Sequence, residues 1–185
     1  MFDKVRQPQM APRLSYQGFS FERPASPDWF LLRSEEDHTG VMLRREVAGE
    51  NDGHTFYTNV SLGRLERQPA THAEFAELAR SKGQIAPYEV STVSYEQSET
   101  TRQSQWCIRF DATYLVRGAP AAQGRELTMI IRGYRCLHPA WPATTLDFFY
   151  SERGLADEIN PTLSDEAEVF LEGVRIDVAP NTPAS

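Results

Sequence analysis

Trp106-Cys107-Ile108-Arg109-Phe110-Asp111-Ala112-Thr113-Tyr114-Leu115-Val116 and Leu127-Thr128-Met129-Ile130-Ile131-Arg132-Gly133-Tyr134-Arg135-Cys136-Leu137 are two β-prone runs joined by a loop that holds Gly118, Pro120 and Gly124. Aromatic and β-branched residues fill a pleated, half-buried surface well, so both runs read as strands. Facing positions of an antiparallel pair have a constant sum of residue numbers. Setting Val116 opposite Leu127 therefore fixes every other pair. One face then brings together Trp106 and Leu137, Ile108 and Arg135, Phe110 and Gly133, Ala112 and Ile131, and Tyr114 and Met129. Apart from Arg135 that face is apolar, and Gly133 leaves space beside Phe110. The other face sets Asp111 against Arg132, an opposite-charge cross-strand pair, and Cys107 against Cys136. A slip of one residue would turn the apolar positions to the wrong side.

Directly opposed β-carbons lie roughly 4.5–5.5 Å apart, and closer at non-hydrogen-bonded sites. A disulfide needs about 3.5–4.5 Å, so a Cys107–Cys136 bridge is feasible at such a site. It would close a loop of about 30 residues, worth on the order of 3 kcal/mol in the chain-entropy account. The competing reading is two reduced cysteines meeting in a sheet by chance. A formed bridge implies an oxidising compartment. No Cys-x-x-Cys occurs, and no further Cys or His joins this pair at ligand spacing, so neither a thioredoxin-like role nor a metal site is expected.

The pattern extends outward from this hairpin. Gly18 to Glu22 alternates and reads as a first short strand, before Pro24 and Pro27 break it. Val41 to Val47 and His54 to Leu65 read as a hairpin around the polar turn from Gly49 to Gly53. Thr71-His72-Ala73-Glu74 is a capping box, and Phe75, Leu78 and Ala79 follow on one helical face. Tyr88 to Tyr95 alternates as a strand, Gln97 to Gln105 reads as a polar turn, and Thr144 to Tyr150 as a strand. A last helix starts near Ser164, carries Ala167, Phe170 and Leu171 inward and stops at Gly173. Val174 to Val178 is a closing strand. Strands with two separated helices predict an α+β fold, an antiparallel sheet with helices packed on it. Residues 1–15 are expected as an N-terminal extension, 16–178 as a single domain and 179–185 as a flexible tail.

The chain has 185 residues, 40% hydrophobic and 24% charged, with a net charge of −7. Such a surface repels phosphate backbones, so no nucleic-acid partner is expected. No apolar run is long enough to span a bilayer. The start of the chain has neither the apolar stretch nor the cleavage site of a signal peptide.

Three segments carry residues capable of chemistry. Glu35-Glu36-Asp37-His38 and Glu50-Asn51-Asp52-Gly53-His54 hold metal-ligand types. They flank opposite ends of one strand, roughly 30 Å apart at about 3.3 Å per residue. Each alone reads as a solvated turn. His138, in His138-Pro139-Ala140-Trp141-Pro142, has Asp147 or Glu152 as possible partners for acid–base work. No nucleophile elbow, zinc-binding helix or phosphate loop accompanies it, so the segment reads as a proline-fixed connector. The cluster from Tyr150 to Gly154 reads as a turn with a local ion pair.

Phe19, Phe21, Pro24 and Trp29, the helix opening from Thr71 to Phe75, the strand meander, and Phe170-Leu171-Glu172-Gly173-Val174-Arg175-Ile176 together resemble the Mog1/PsbP-like α/β/α sandwich. The pieces Trp106-Cys107 and Tyr134-Arg135-Cys136-Leu137-His138-Pro139 look like those of small bacterial envelope lipoproteins of this type, although their lipobox cysteine and leader do not occur in this chain. The resemblance implies a binding, accessory or assembly protein and supplies no site residues. The resulting expectation is a non-catalytic, protein-binding domain of the bacterial cell envelope, periplasmic, without cofactor or metal. The alternatives are a cytoplasmic adaptor or chaperone with reduced cysteines, and a small hydrolase centred on His138.

Overall fold

The computed structural model of the protein describes residues 2–6, 11–34, 40–46, 53–81, 89–119, 122, 124–160 and 165–177. The described strands are β1 (Phe2–Arg6), β2 (Arg13–Tyr16), β3 (Phe19–Glu22), β4 (Trp29–Ser34), β5 (Gly40–Glu46), β6 (Thr55–Arg64), β7 (Glu89–Arg102), β8 (Gln105–Arg117), β9 (Leu127–Leu137), β10 (Thr144–Gly154) and β11 (Arg175–Ile176). The described helices are α1 (His72–Ser81) and α2 (Asp165–Gly173). Eight strands form one sheet in the order β1-β4-β5-β6-β10-β9-β8-β7, and β11-β3-β2 form a second sheet of three. All pairings are antiparallel.

The central hairpin has the predicted register, from Cys107 opposite Cys136 to Val116 opposite Leu127. Alternation along its strands sends one set of side chains toward the small sheet and α2, and the other set toward α1. On the first face Leu146, Phe148 and Tyr150 of β10 pack with Phe19 and Phe21 of β3 and with Phe170 and Leu171 of α2. Each of these side chains is almost fully buried and contributes roughly 1.5–3 kcal/mol through removal from water. On the second face Phe75, Ala76 and Ala79 of α1 close over Ile108 and Leu137. Beyond them Val116, Ala119, Ala122 and Leu127 form a smaller cluster at the other end of the hairpin.

This architecture corrects the α+β expectation and the α/β/α sandwich. Among the described residues strand predominates, with eleven strands against two helices of nine and ten residues. An α/β/α sandwich needs helical layers on both faces of its sheet. Here a second β-sheet, with the nine-residue α2 beside it, occupies one face, and the ten-residue α1 covers one end of the other. The expectation underweighted polar strands. The stretch read as a turn at Gln97–Gln105 is mostly strand: β7 runs on to Arg102, and the turn is only Gln103-Ser104. Both turn residues have positive φ, 49° and 64°, the backbone form that matches the twist of a two-residue hairpin. The residues expected as an extension also supply strands: β1 pairs with β4, and β2 pairs with β3. The tail at 179–185 lies outside the described residues.

The capping box forms with one difference. The Glu74 amide donates to Thr71 Oγ1 at 3.1 Å, but the Glu74 carboxylate reaches past Thr71 to accept from the Ala70 amide at 2.7 Å. That bond, aided by Arg67, holds the Glu74 carboxyl below its ordinary value.

Candidate functional site

Cys107 and Cys136 stand opposite each other on the face beneath α2, both fully buried, with sulfurs 2.09 Å apart. The charged pair from the same register is close by. Arg132 Nε donates to Asp111 at 2.5 Å, and a second nitrogen of Arg132 donates to Glu168 of α2 at 2.7 Å. Arg109 joins the same two carboxylates at 3.4 and 3.3 Å. Burial opposes the charge on Arg132, but the bonds to Asp111 and Glu168 outweigh it and hold the guanidinium more firmly protonated than usual. The pair predicted across two strands is therefore part of a four-member network that fastens α2 to the sheet. All four side chains are 22–41% exposed, so each bond contributes modestly.

His138 lies buried in the connector that follows β9. Its ring stacks on Trp141 with centroids 4.3 Å apart. Nδ1 accepts from the Ala140 amide at 3.2 Å, and Nε2–H donates to the Gly18 carbonyl at 3.2 Å. Both nitrogens thus engage backbone, which fixes one neutral tautomer. Burial pushes the imidazole below its usual value, against the Gly18 carbonyl and Asp177. Gly18 has φ +86°, and a β-carbon there would stand 2.6 Å from the Trp141 ring. Neither expected carboxylate partner joins this histidine: Asp147 pairs with Arg135 at 2.8 Å and Glu152 pairs with His54 at 2.9 Å.

The His54–Glu152 pair was not anticipated. Glu152 was read as part of a turn, yet β10 continues through it to Gly154, and its side chain is only 5% exposed. Its second oxygen accepts from the Asn160 amide at 3.3 Å. His54 rests against Phe56, with ring centroids 5.2 Å apart. The β6–β10 register sets Phe56 opposite Glu152, so the contact follows from a pairing between distant strands that no local motif signals. Nearby, Glu166 of α2 accepts from Tyr150 Oη at 2.9 Å and from the Ser26 amide at 2.8 Å, and faces Arg45 at 3.5 Å. A carboxylate-backed imidazole can exchange a proton. Ser151, however, points to the opposite face of the sheet from Glu152, and the Tyr150 hydroxyl on the same face donates to Glu166 instead.

Glu35 to His38 and Glu50 to Asp52 lie outside the described residues. Among the described residues no three His, Cys, Asp or Glu side chains are grouped to hold a metal ion, and no helix is long and apolar enough to cross a membrane. No protein-family model matches the chain, and no curated protein matches it.

Proposed function

We propose that this chain is a non-catalytic accessory domain of the bacterial cell envelope that works by binding another protein, with Cys107–Cys136 as its covalent brace. The fully buried sulfur pair between the central strands carries this reading, because such bridges persist in oxidising compartments and are rare in the cytosol. Two of the three large apolar side chains exposed among the described residues support the binding role; the third, Val169, lies on α2. Val93 and Tyr95, 58% and 45% exposed, both lie on β7 at the end of the large sheet. Edge strands of this kind are common docking sites for extended segments of other proteins. His138 supports a non-catalytic reading, since it is held by backbone on both nitrogens.

The test is to trap free thiols with an alkylating agent in acid-quenched bacteria that make the protein, then separate the envelope fraction from the cytosol. Recovery in the envelope fraction with both cysteines unlabelled supports the proposal. Folded protein in the cytosol with both cysteines labelled would overturn it in favour of an intracellular adaptor.

A further inference from the structure

Among the described residues the large sheet ends at β7, whose one strand partner is β8. The turn between them is Gln103-Ser104, so the flanking pair Arg102–Gln105 is hydrogen-bonded. Alternation back along β7 then turns the backbone groups of Thr100, Ser98, Glu96 and Ser94 toward β8. Those of Thr101, Glu99, Gln97 and Tyr95 point outward. The disulfide agrees with this phase. Cys107 faces Thr100 in a bonded pair and so meets Cys136 in an unbonded one, where opposed residues come closest. At Val93 the register with β8 shifts, a bulge that interrupts a straight ladder. The open run is therefore Ser94 to Thr101.

Edges that resist pairing commonly carry lysine or proline, and this run has neither. Its charged residues are both acidic. Glu96 is exposed and stands opposite Asp111, whose carboxylate already serves Arg132 and Arg109. Glu99, 52% exposed, lies on the other face with His72 Nδ1 at 3.7 Å. Arg102 turns inward, donating to the Leu171 carbonyl and covering the Tyr134 ring. On the face of Glu99, exposed Tyr95 stacks on Phe110 with ring centroids 6.5 Å apart. Arg80 and Arg135 lie near enough to act on its hydroxyl, so an apolar neighbour suits Tyr95 better than a cation.

We propose that Ser94 to Thr101 of β7 takes up an extended basic segment of a partner protein as an added strand. This rests on the protein-binding role above and names the chemistry of the partner. An antiparallel segment sets an apolar residue against Tyr95, a basic residue one position earlier against Glu96, and another basic residue three positions before that against Glu99. The pattern is basic-x-x-basic-apolar. The same edge of a second copy would bring acidic side chains to acidic ones.

The probe is a blocked synthetic peptide, Thr-Arg-Thr-Thr-Arg-Val-Thr, titrated into the oxidised full chain and followed by backbone amide NMR. A second peptide carries glutamate in place of both arginines. Saturable binding of the arginine peptide is expected, with slowed hydrogen exchange at the Gln97 and Glu99 amides, and no saturable binding of the glutamate peptide. Glu96→Lys together with Glu99→Lys should weaken the arginine peptide about tenfold and admit the glutamate peptide. Gln97→Pro removes an outward donor at an edge position where proline is tolerated, and should abolish binding. If that variant does not fold, the charge reversal decides alone. No saturable binding, affinity unchanged by charge reversal, or binding that leaves the Gln97 and Glu99 amides unprotected would overturn the proposal. Self-association of the chain that Gln97→Pro removes would give the edge to a second copy and overturn it as well. The titration is made on purified protein and the fractionation above reads the compartment, so either reading can fail without the other.

Discussion

A β-carbon added at Gly133 would stand 2.5 Å from the Phe148 carbonyl oxygen, 2.6 Å from Phe149 Cβ and 2.7 Å from the Phe110 ring. The backbone oxygen cannot move aside without breaking the β9–β10 ladder, so Gly133→Ala should destabilise the protein by about 1–3 kcal/mol. Urea unfolding measures this, and a loss below a few tenths of a kcal/mol would show that the strands accommodate the methyl group. His138 makes a different kind of prediction. Burial lowers its pKa in the folded state, so below about pH 6.5 the unfolded chain takes up a proton that the folded chain refuses. Stability from this residue is fully present above that pH and is lost as pH falls toward the folded-state value. His138→Gln should remove this component, so the difference in unfolding free energy between wild type and variant should shrink on acidification from neutral pH. A difference that stays constant with pH would contradict the buried neutral ring. Gly133 and its space beside Phe110 were legible in the sequence because the register placed them together. The partners of His138 were not, because the Gly18 carbonyl is remote in sequence and no side-chain pattern marks a backbone acceptor.

At the scale of elements, the β7–β8 turn joins the two sheets. Gln103 Nε2 donates to the Val174 carbonyl at 3.0 Å, and its Oε1 accepts from the Ile176 amide at 3.0 Å. The side-chain amide thus satisfies a donor and an acceptor beside the two-residue strand β11. Gln103→Ala leaves both without that partner and should cost about 1–3 kcal/mol. Hydrogen exchange at the Ile176 amide should quicken at the same time, and unchanged exchange would contradict the role assigned to this side chain. The turn itself was hidden in the sequence. A two-residue hairpin with positive φ usually announces itself by Asn or Gly, whereas Gln103-Ser104 carries neither. The polar residues of β7 hid its length for a related reason: an edge strand exposed to water has no need of apolar alternation. The strands from Trp106 to Leu137 were readable because each has one strongly buried face, and α1 because its capping threonine and glutamate stand at the right spacing. The β6–β10 pairing joins strands far apart in the chain, and with it came the His54–Glu152 contact that local patterns could not supply.

At the scale of the whole molecule, a large antiparallel sheet carries a small sheet and α2 on one face and α1 on part of the other. Helices alone would leave much of this sheet uncovered, and the second β-sheet is what replaces the helical layer expected from the sequence. The disulfide sits inside the larger core cluster, between β8 and β9. With 29 residues separating its cysteines, its removal should lower stability by about 3–4 kcal/mol in the chain-entropy account. The same bridge links the strand register to the proposed envelope compartment. The most direct measurement is the intact mass of purified protein, produced in an oxidising compartment and alkylated under denaturing conditions without and with reductant. A monomer that takes no adduct until reductant is added, and then takes two, is the predicted result. Two adducts without reductant would contradict the bridge and remove the basis for placing the protein in the envelope.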